Sequence, residues 1–338
     1  VALVALPAAL GHSWIEQVRA VNSDGQYVGE YGYPRGFVSK NAPGYDGEKD
    51  MVYLLPPLET QPPFINSSHL LCHPNQREQT QNDQFPRVKG TAGGYLALRY
   101  AENGHVSNPS PLNGHTPGTV EFQRRENGGS IFVYGTTDPK PDETIANVLQ
   151  WTTDGRGGDR GGVLLTVNDF DDGRCYEINP VTEHGERMKA FPNYAQGQAP
   201  QGSANARPGD FPLMCETNVE LPKDAPNGKP YTLYWVWQWP FDPNPKSQFF
   251  PNGKDEYYTT CLDVDIVETV KEESKLQFAL APQDAMENAV RDFKNRKALI
   301  MNAMEGEVGP VFSGKPTPTA GVPPASQGTL VPSAPPYA

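Results

Sequence analysis

The segment Tyr231–Trp239 reads YTLYWVWQW and has the strongest strand pattern in the chain. Successive residues of a strand point to opposite faces of its sheet, so Leu233, Trp235 and Trp237 share one face. The opposite face carries Thr232, Tyr234, Val236 and Gln238. Shorter β-branched and aromatic runs recur between turns, and helix-period stretches are few in a chain with 35 prolines and 33 glycines. These patterns predict an all-β sandwich with long loops.

Other segments have weaker strand patterns. Strands are predicted over residues 13–21, 93–100, 119–122, 130–134, 145–151, 163–167, 174–178, 214–221 and 257–269. Residues 27–63 are rich in Tyr, Gly and Pro without a sustained period, which predicts a long loop region. Within it, Tyr31, Tyr33 and Phe37 either form a flat sugar-stacking surface or pack beneath their own loop, and tyrosines more often do the second.

The periodicity changes towards the C-terminus. Residues 283–304 follow Pro282, carry basic residues near their end and predict a helix. The apolar residues near one face of this helix are Met286, Val290, Phe293 and Ile300. The predicted organisation is a signal-peptide remnant at 1–11, a β-sandwich domain at 12–272, a helical extension at 273–312 and a disordered Pro-, Ser- and Thr-rich tail at 313–338.

The first eleven residues are apolar or small and end in Ala9-Leu10-Gly11, which has the small-x-small form of a signal-peptidase site. Cleavage after Gly11 makes His12 the N-terminal residue. Its α-amine and its ring Nδ1 can then chelate one metal ion, and amine and imidazole donors suit Cu(II). The alternative is cleavage at Ala8 or Ala9, which leaves His12 an ordinary strand residue.

Charge and hydropathy exclude two classes of partner. The formal net charge is −12 and the basic residues are dispersed, so no nucleic-acid footprint is present. After the leader, no run reaches the roughly 18 apolar residues of a membrane span. The sequence therefore predicts a secreted, extracellular protein. The sequon at Asn66 predicts N-glycosylation on a surface loop.

The four cysteines form an even set in a chain that carries an export signal. They are Cys72, Cys175, Cys215 and Cys261. Two disulfides are the expected use, with three possible connectivities. A zinc site with four thiolates is the alternative, but no pair has the C-x-x-C spacing that such sites favour.

Six histidines are candidate metal ligands: His12, His69, His73, His105, His115 and His184. His105 is the strongest internal candidate, because it follows a predicted strand and lies among small polar turn residues. His73 is its main rival, although it adjoins Cys72 and a disulfide there would fix its surroundings for packing reasons.

Three stretches carry a family resemblance: the leader that ends before His12, the segment from LLCH at 70–73 to NGHV at 103–106, and EYYTTCLDV at 256–264. Together they resemble the lytic polysaccharide monooxygenases, which are secreted copper enzymes with an immunoglobulin-like β-sandwich. The resemblance implies a fungal secreted member outside the best-studied cellulose-active and chitin-active groups.

The resemblance also implies the roles of site residues. One copper ion per chain is held by His12 through its amine and ring and by His105 through its ring, with Tyr258 in the axial position. Glu256 shares a strand face with Tyr258 and is placed to hydrogen-bond an oxygen species on the metal. The disulfides implied are Cys72–Cys261 and Cys175–Cys215. A register slip of one residue would replace Tyr258 with Tyr257.

The implied activity is oxidative cleavage of a polysaccharide such as cellulose, chitin or hemicellulose by a monomer. A small-molecule or protein electron donor supplies the reductant, and O2 or H2O2 is the oxidant. Two alternatives stay open. One is a secreted copper-binding protein that has the same histidine ligands and no oxidase activity, and the other is a metal-free secreted sandwich that binds sugars or acts in adhesion.

Overall fold

The computed structural model describes residues 12–40, 42–107, 125–191, 212–247, 249–271, 289, 294 and 296–313. Two mainly antiparallel sheets face each other across an apolar core, as the sequence predicts. No helix in the described part of the chain is both long and apolar enough to cross a membrane.

The smaller sheet has the strand order β2-β1-β5-β8. Its strands are β1 (Ile15–Val21), β2 (Tyr27–Gly32), β5 (Tyr95–Tyr100) and β8 (Cys215–Glu220). All neighbours are antiparallel, with Val18 opposite Leu98 and Leu98 opposite Thr217. The start of β1 and the end of β5 therefore lie at the same end of the sandwich.

The larger sheet has the strand order β3-β10-β9-β6-β7. A sixth strand, β4, also pairs with β10 and runs parallel to it. Its strands are β3 (Leu54–Leu55), β4 (Val88–Gly90), β6 (Ser130–Thr136), β7 (Val163–Asp169), β9 (Pro230–Gln238) and β10 (Tyr257–Ile266). Trp237 of β9 lies opposite Tyr258 on one side and Ile131 on the other. The start of β10 thus reaches the same end of the sandwich as the start of β1.

Strand β9 is buried on both faces, which explains its alternation of large apolar residues. Leu233, Trp235 and Trp237 pack into the core between the sheets. Tyr234 and Val236 pack into a second apolar layer on the outer face of the larger sheet. The two faces predicted for Tyr231–Trp239 are therefore confirmed.

Both predicted disulfides are present, which rules out a zinc site with four thiolates. Cys72–Cys261 ties the long loop after β3 to β10, and Cys175–Cys215 ties the segment after β7 to the start of β8. Each bond joins an irregular segment to a sheet strand, so the position of each loop relative to the sandwich is fixed.

Several secondary-structure predictions are wrong. Residues 27–63 are not all loop, because β2 and β3 form there together with helix α1 (Gly47–Asp50). Residues 145–151 contain helix α2 (Ile145–Val148) instead of a strand, since the Thr144 hydroxyl accepts from Asn147 N and caps a helical turn.

Residues 174–178 are not a strand either, and contribute only a single bridge between Tyr176 and Leu213. Helix α3 (Thr182–Ala190) was not predicted. Residues 119–122 lie outside the described residues.

The predicted helix over residues 283–304 does not form in its described part. Ala289 and residues 296–302 are not helical, and helix α4 is the short turn Ala303–Gly306. Two described main-chain groups of this region bond to the sandwich: Ala289 N donates to Gly25 O, and Arg296 O accepts from the Asn168 amide. Residues 296–313, the C-terminal segment, place Ala298, Ala303 and Phe312 on the outer face of the larger sheet.

The aromatic residues considered for sugar stacking are packed inward. Tyr31 and Tyr33 are buried, and both lie in one apolar cluster with Phe85 and the half-buried Phe37. The ring centroid of Phe37 is 5.0 Å from that of Phe85 and 4.9 Å from that of Tyr33. These rings stabilise their own loop and leave no flat surface for a sugar.

Candidate metal centre

Three segments meet at the end of the sandwich where β1 begins, β5 ends and β10 begins. The Ser13 hydroxyl donates to Ala101 O at 2.5 Å, which joins the first described residues to the turn after β5. Ile15 N donates to the Thr260 hydroxyl at 3.2 Å, which joins β1 to β10. Residues far apart in sequence are therefore held side by side at this edge.

His12 lies at this edge with a ring that is 36% exposed. Its main-chain oxygen accepts a hydrogen bond from the Asn103 side-chain amide, so the turn that carries His105 holds the His12 backbone. Its ring Nε2 lies 3.0 Å from Glu48 Oε1 of helix α1. These atoms are at ion-pair distance, although they are not aligned for a hydrogen bond.

Tyr258 and His12 line one open cavity of about 220 Å³. The remaining lining residues are Glu48, Val52, Leu54, Pro57, Leu58 and Glu59. The Tyr258 ring packs against Trp237 with centroids 4.9 Å apart, and its hydroxyl donates to Glu256 Oε1 at 3.1 Å. Tyr258 is therefore held at the wall of the cavity by Trp237 on the adjacent strand.

Tyr257 faces away from this cavity. It is packed in the apolar layer outside the larger sheet, where its hydroxyl accepts from Gln238 Nε2 at 3.0 Å. Burial, reinforced by nearby Asp255, raises the pKa of the Tyr257 hydroxyl well above its ordinary value. The register of β10 therefore brings Tyr258 to the His12 cavity and excludes Tyr257 from it.

Glu256 is buried beside Tyr258. Lys254 Nζ donates to Glu256 Oε2 at 2.9 Å, and Tyr258 donates to the other carboxylate oxygen. A buried carboxylate needs such a cation and hydrogen bonds to stay charged. Glu256 is thus held between Lys254 and the Tyr258 hydroxyl.

His105 lies in the turn after β5 but outside the cavity lining. Positive φ angles at Asn103 and Gly104 form this turn. The His105 ring is buried, with its centroid 4.6 Å from that of Trp239 and 5.0 Å from that of Trp237. Trp237 contacts both His105 and Tyr258, so the structure brings His12 and Tyr258 together and leaves His105 one aromatic ring behind them.

The other described histidines do not line the cavity, and both ring nitrogens of His73 have partners. His73 Nδ1 accepts from Asn75 N at 3.2 Å, and its Nε2 lies 3.1 Å from Lys49 O. His69 Nδ1 accepts from Asn66 N at 3.1 Å. Burial lowers the pKa of both rings. It also lowers the pKa of His184, which lies on α3 and packs against Tyr176. His115 lies outside the described residues.

The donor set at the cavity suits copper chemically but is one ligand short. The imidazole of His12 and the phenol of Tyr258 face the same space, and the His12 amine would join them once residues 1–11 are removed. Among the described His, Cys, Asp and Glu side chains, one group of three lies within ligand distance: Asp172, Cys175 and Cys215. Both cysteines of that group are in a disulfide, so it is no competing metal site.

Glu48 is the cavity residue that sequence reasoning missed. It lies in a region without a sustained period, and its approach to His12 depends on tertiary packing, since Met51 and Val52 directly after α1 are buried in the core. The available local signal was Asp46, two residues earlier, whose side chain accepts from Glu48 N at 3.2 Å and begins the helix. That signal predicts a helical turn, but it does not predict that His12 lies beside Glu48.

A family model described as a domain of unknown function (DUF7492) matches residues 9–292. The chain belongs to this family. No curated protein matches the sequence. The DUF7492 match spans both described sheets, both disulfides and the residues His12, His105 and Tyr258. It ends before the C-terminal segment that covers the larger sheet.

Three solved structures have weak similarity to this DUF7492 chain. CvAA9A has 14% identity and a TM-score of 0.31, covering 82% of this chain and 85% of its own. A cellulose-active polysaccharide monooxygenase from M. thermophila has 10% identity and a TM-score of 0.30, covering 85% and 91%. The family 61 glycoside hydrolase member Cel61B from Hypocrea jecorina has 12% identity and a TM-score of 0.27, covering 80% and 86%. TM-scores of this size carry no argument about this chain.

Proposed function

We propose that this protein is a secreted, copper-dependent enzyme that cleaves a polysaccharide oxidatively with a reductant and O2 or H2O2. The observation that carries the proposal is the shared cavity of His12, which lies just before the first strand of the sandwich, and Tyr258, which belongs to the last strand. Imidazole and phenol donors that meet at an open surface suit a copper ion that acts on a large external substrate.

In this proposal His12 would hold the metal through its imidazole and its free α-amine, and Tyr258 would limit access to the metal from its own side of the cavity. Copper, when bound, supplies the redox chemistry that activates O2 or H2O2 with electrons from a small-molecule or protein donor. Trp237 holds the Tyr258 ring in place. Glu256, which pairs with Lys254, accepts from the Tyr258 hydroxyl and keeps that oxygen oriented.

His105 is the proposed second imidazole. Its turn is fixed to the His12 backbone through Asn103, which supports the assignment, while the ring itself is packed behind Trp237. Individual replacement of the six histidines by alanine tests it. His12 and His105 variants should lose tight Cu(II) binding, whereas His69, His73 and His184 variants should keep it. Loss in the His115 variant with retention in the His105 variant would move the second ligand to His115.

The extracellular part of the proposal is supported by two disulfides, since such bonds persist in oxidising compartments. Asn66 is exposed, as an N-glycosylated asparagine must be. The substrate is proposed as a polysaccharide such as cellulose, chitin or hemicellulose, approached by a single protomer. The exposed Leu58 and the neighbouring Pro57 provide an apolar rim beside the cavity.

Cu(II) binding and EPR spectroscopy test the proposal on protein processed to begin at His12. The control carries one extra glycine before His12, which removes the chelating amine but keeps every side chain. We expect tight binding and a nitrogen-rich axial spectrum that is lost or much weakened in the control. Equal, weak binding in both proteins would rule out the copper enzyme and favour a metal-free sugar-binding or adhesion protein.

Incubation with cellulose, chitin and hemicellulose and a reductant then separates an enzyme from a copper carrier. Oxidised oligosaccharides that depend on copper support the enzyme. Tight copper binding without such products on these three substrates would leave a secreted copper-binding protein as the function.

A further inference from the structure

The carboxylate of Glu48 faces the ring nitrogen of His12 that points away from the main chain. Glu48 Oε1 lies 3.0 Å from His12 Nε2. We infer that Glu48 is a positioning residue, which holds the His12 imidazole in the form with its hydrogen on Nε2 and leaves the Nδ1 lone pair for a metal. The inference rests on the proposed function, because it assigns Glu48 a role only if His12 binds copper.

The chemistry of an N-terminal histidine makes this choice of tautomer matter. A neutral imidazole carries one hydrogen, on either Nδ1 or Nε2, and binds a metal through the other nitrogen. Only Nδ1 is close enough to the residue's own α-amine to close a chelate ring with it. A carboxylate beside Nε2 repels a lone pair there and attracts an N–H, so it favours the chelating form.

Glu48 is held at this position by its own helix. Asp46 caps α1 at Glu48 N, and Met51 and Val52 both donate to Gly47 O at the end of the helix. Met51 and Val52 are buried in the core, which anchors the helix to the sandwich. Glu48 therefore projects towards His12 from a fixed element.

The Glu48 carboxylate has no competing cation among the described residues. Lys49, its neighbour on α1, pairs with Asp46 at 2.8 Å instead. The Glu48 side chain is 54% exposed, so water competes for it and its effect should lie at the lower end for such outer-sphere groups. We expect about a tenfold loss of copper affinity when it is removed.

Glu59 provides a matched control. It lines the same cavity and carries the same charge, but it makes no described ion pair with His12. Glu59→Ala removes one negative charge from the cavity and leaves the Glu48–His12 contact in place. Comparison of Glu48→Ala with Glu59→Ala thus separates a specific contact from the general field of the cavity.

The test measures the tautomer without metal and the copper affinity separately, on protein that begins at His12. Histidine labelled with ¹⁵N is examined by long-range ¹H–¹⁵N spectra at about pH 9, where free imidazole is neutral. We expect His12 to be almost wholly in the Nε2–H form in the wild type and in Glu59→Ala, and to be mixed in Glu48→Ala. Glu48→Gln should restore it partly, because its amide oxygen still presents a partial negative charge to Nε2.

Copper titrations complete the test. A roughly tenfold weaker affinity for Glu48→Ala, with little change for Glu59→Ala, is expected. An unchanged tautomer in Glu48→Ala, or an equal loss of affinity in both alanine variants, would overturn the inference. If wild-type protein does not bind copper tightly, the proposed function fails, and with it the metal-binding role of Glu48. The metal-free spectra still decide whether Glu48 sets the tautomer.

Discussion

At the scale of single residues, the candidate centre depends on which tyrosine of β10 reaches the cavity. Tyr257 and Tyr258 are adjacent and equally buried, so composition and burial do not separate them. The pairing of β10 with β9 decides, because it sets Tyr258 beside Trp237 on the inner face. A variant pair at these two positions therefore tests the proposed axial ligand directly.

Tyr258→Phe should keep Cu(II) binding within about tenfold and change the EPR spectrum, because it removes the phenol oxygen of a residue that lines the His12 cavity. Tyr257→Phe should leave the spectrum unchanged and cost about 1 kcal/mol of stability, since it removes the hydrogen bond from Gln238. EPR spectra and thermal melts of both variants measure this. A spectral change in Tyr257→Phe alone would show that the wrong tyrosine has been assigned to the metal.

Residue-level predictions from sequence succeeded for side-chain positions that depend on alternation along one strand. The two-residue spacing of Glu256 and Tyr258 predicts a shared face, and the two side chains are hydrogen-bonded there. The spacing could not predict that Lys254, two residues before Glu256, would donate to the second carboxylate oxygen of Glu256. Nor could it predict the aromatic packing of His105, because that depends on Trp237 and Trp239 from a distant strand.

At the scale of elements, strands with strong alternation were predicted well and short elements were not. The pattern of β9 and β10 is long enough to exclude a helix. Residues 145–151 mislead, because Ile145, Leu149 and Trp151 would share one face of a strand, whereas Ile145, Val148 and Leu149 would share one face of a helix. The capping hydroxyl of Thr144 decides for the helix. The C-terminal segment was likewise predicted as helix, because sequence periodicity carries no information on the sheet face that it covers.

The C-terminal segment is joined to the sandwich at a pair of carboxyl groups, Asp255 and Glu307. Asp255 accepts from Val308 N and from Ile65 N, each at 2.9 Å. Burial and the neighbouring Asp255 raise the pKa of Glu307 to about 8, from an ordinary value of 4.5. Folded Glu307 therefore keeps its proton at a pH where the unfolded chain has lost it.

The sign of the pH dependence follows from this difference. Between about pH 4.5 and 8 the unfolded state binds fewer protons at Glu307 than the folded state, so stability should fall as the pH rises. The free energy of unfolding should fall by about 2–4 kcal/mol in total. Above pH 8 Glu307 should no longer make stability depend on pH. Thermal melts from pH 5 to 9 measure it. Glu307→Gln, which cannot ionise, is the control and should flatten this part of the profile; an unchanged slope in that variant would assign it to other groups.

At the scale of the whole molecule, the larger sheet is covered on both faces, and the family match accounts for only part of that cover. The match ends at residue 292, whereas Ala298, Ala303 and Phe312 complete the outer apolar layer. The same segment satisfies buried polar groups of the sandwich, since Ala303 O accepts from Gln238 Nε2 at 2.7 Å. The C-terminal segment is thus a structural part of this sandwich.

A chain that ends at residue 292 should therefore be less stable than one that ends at Ser313. Loss of the segment exposes apolar side chains of the outer layer and leaves Gln238 and Asn168 without the carbonyl partners at Ala303 and Arg296. Burial of the Phe312 ring alone accounts for roughly 2–3 kcal/mol, and the lost hydrogen bonds add about 1 kcal/mol each. Denaturant unfolding of the two chains and binding of an apolar dye measure the effect. Equal stability of the two chains would show that the outer face of the sheet needs no cover.

Because the segment lies on the face opposite His12 and Tyr258, the shorter chain should keep the Cu(II) affinity of the longer one as long as it is folded. A loss of copper binding in the folded shorter chain would show that the two faces of the larger sheet are coupled through β10.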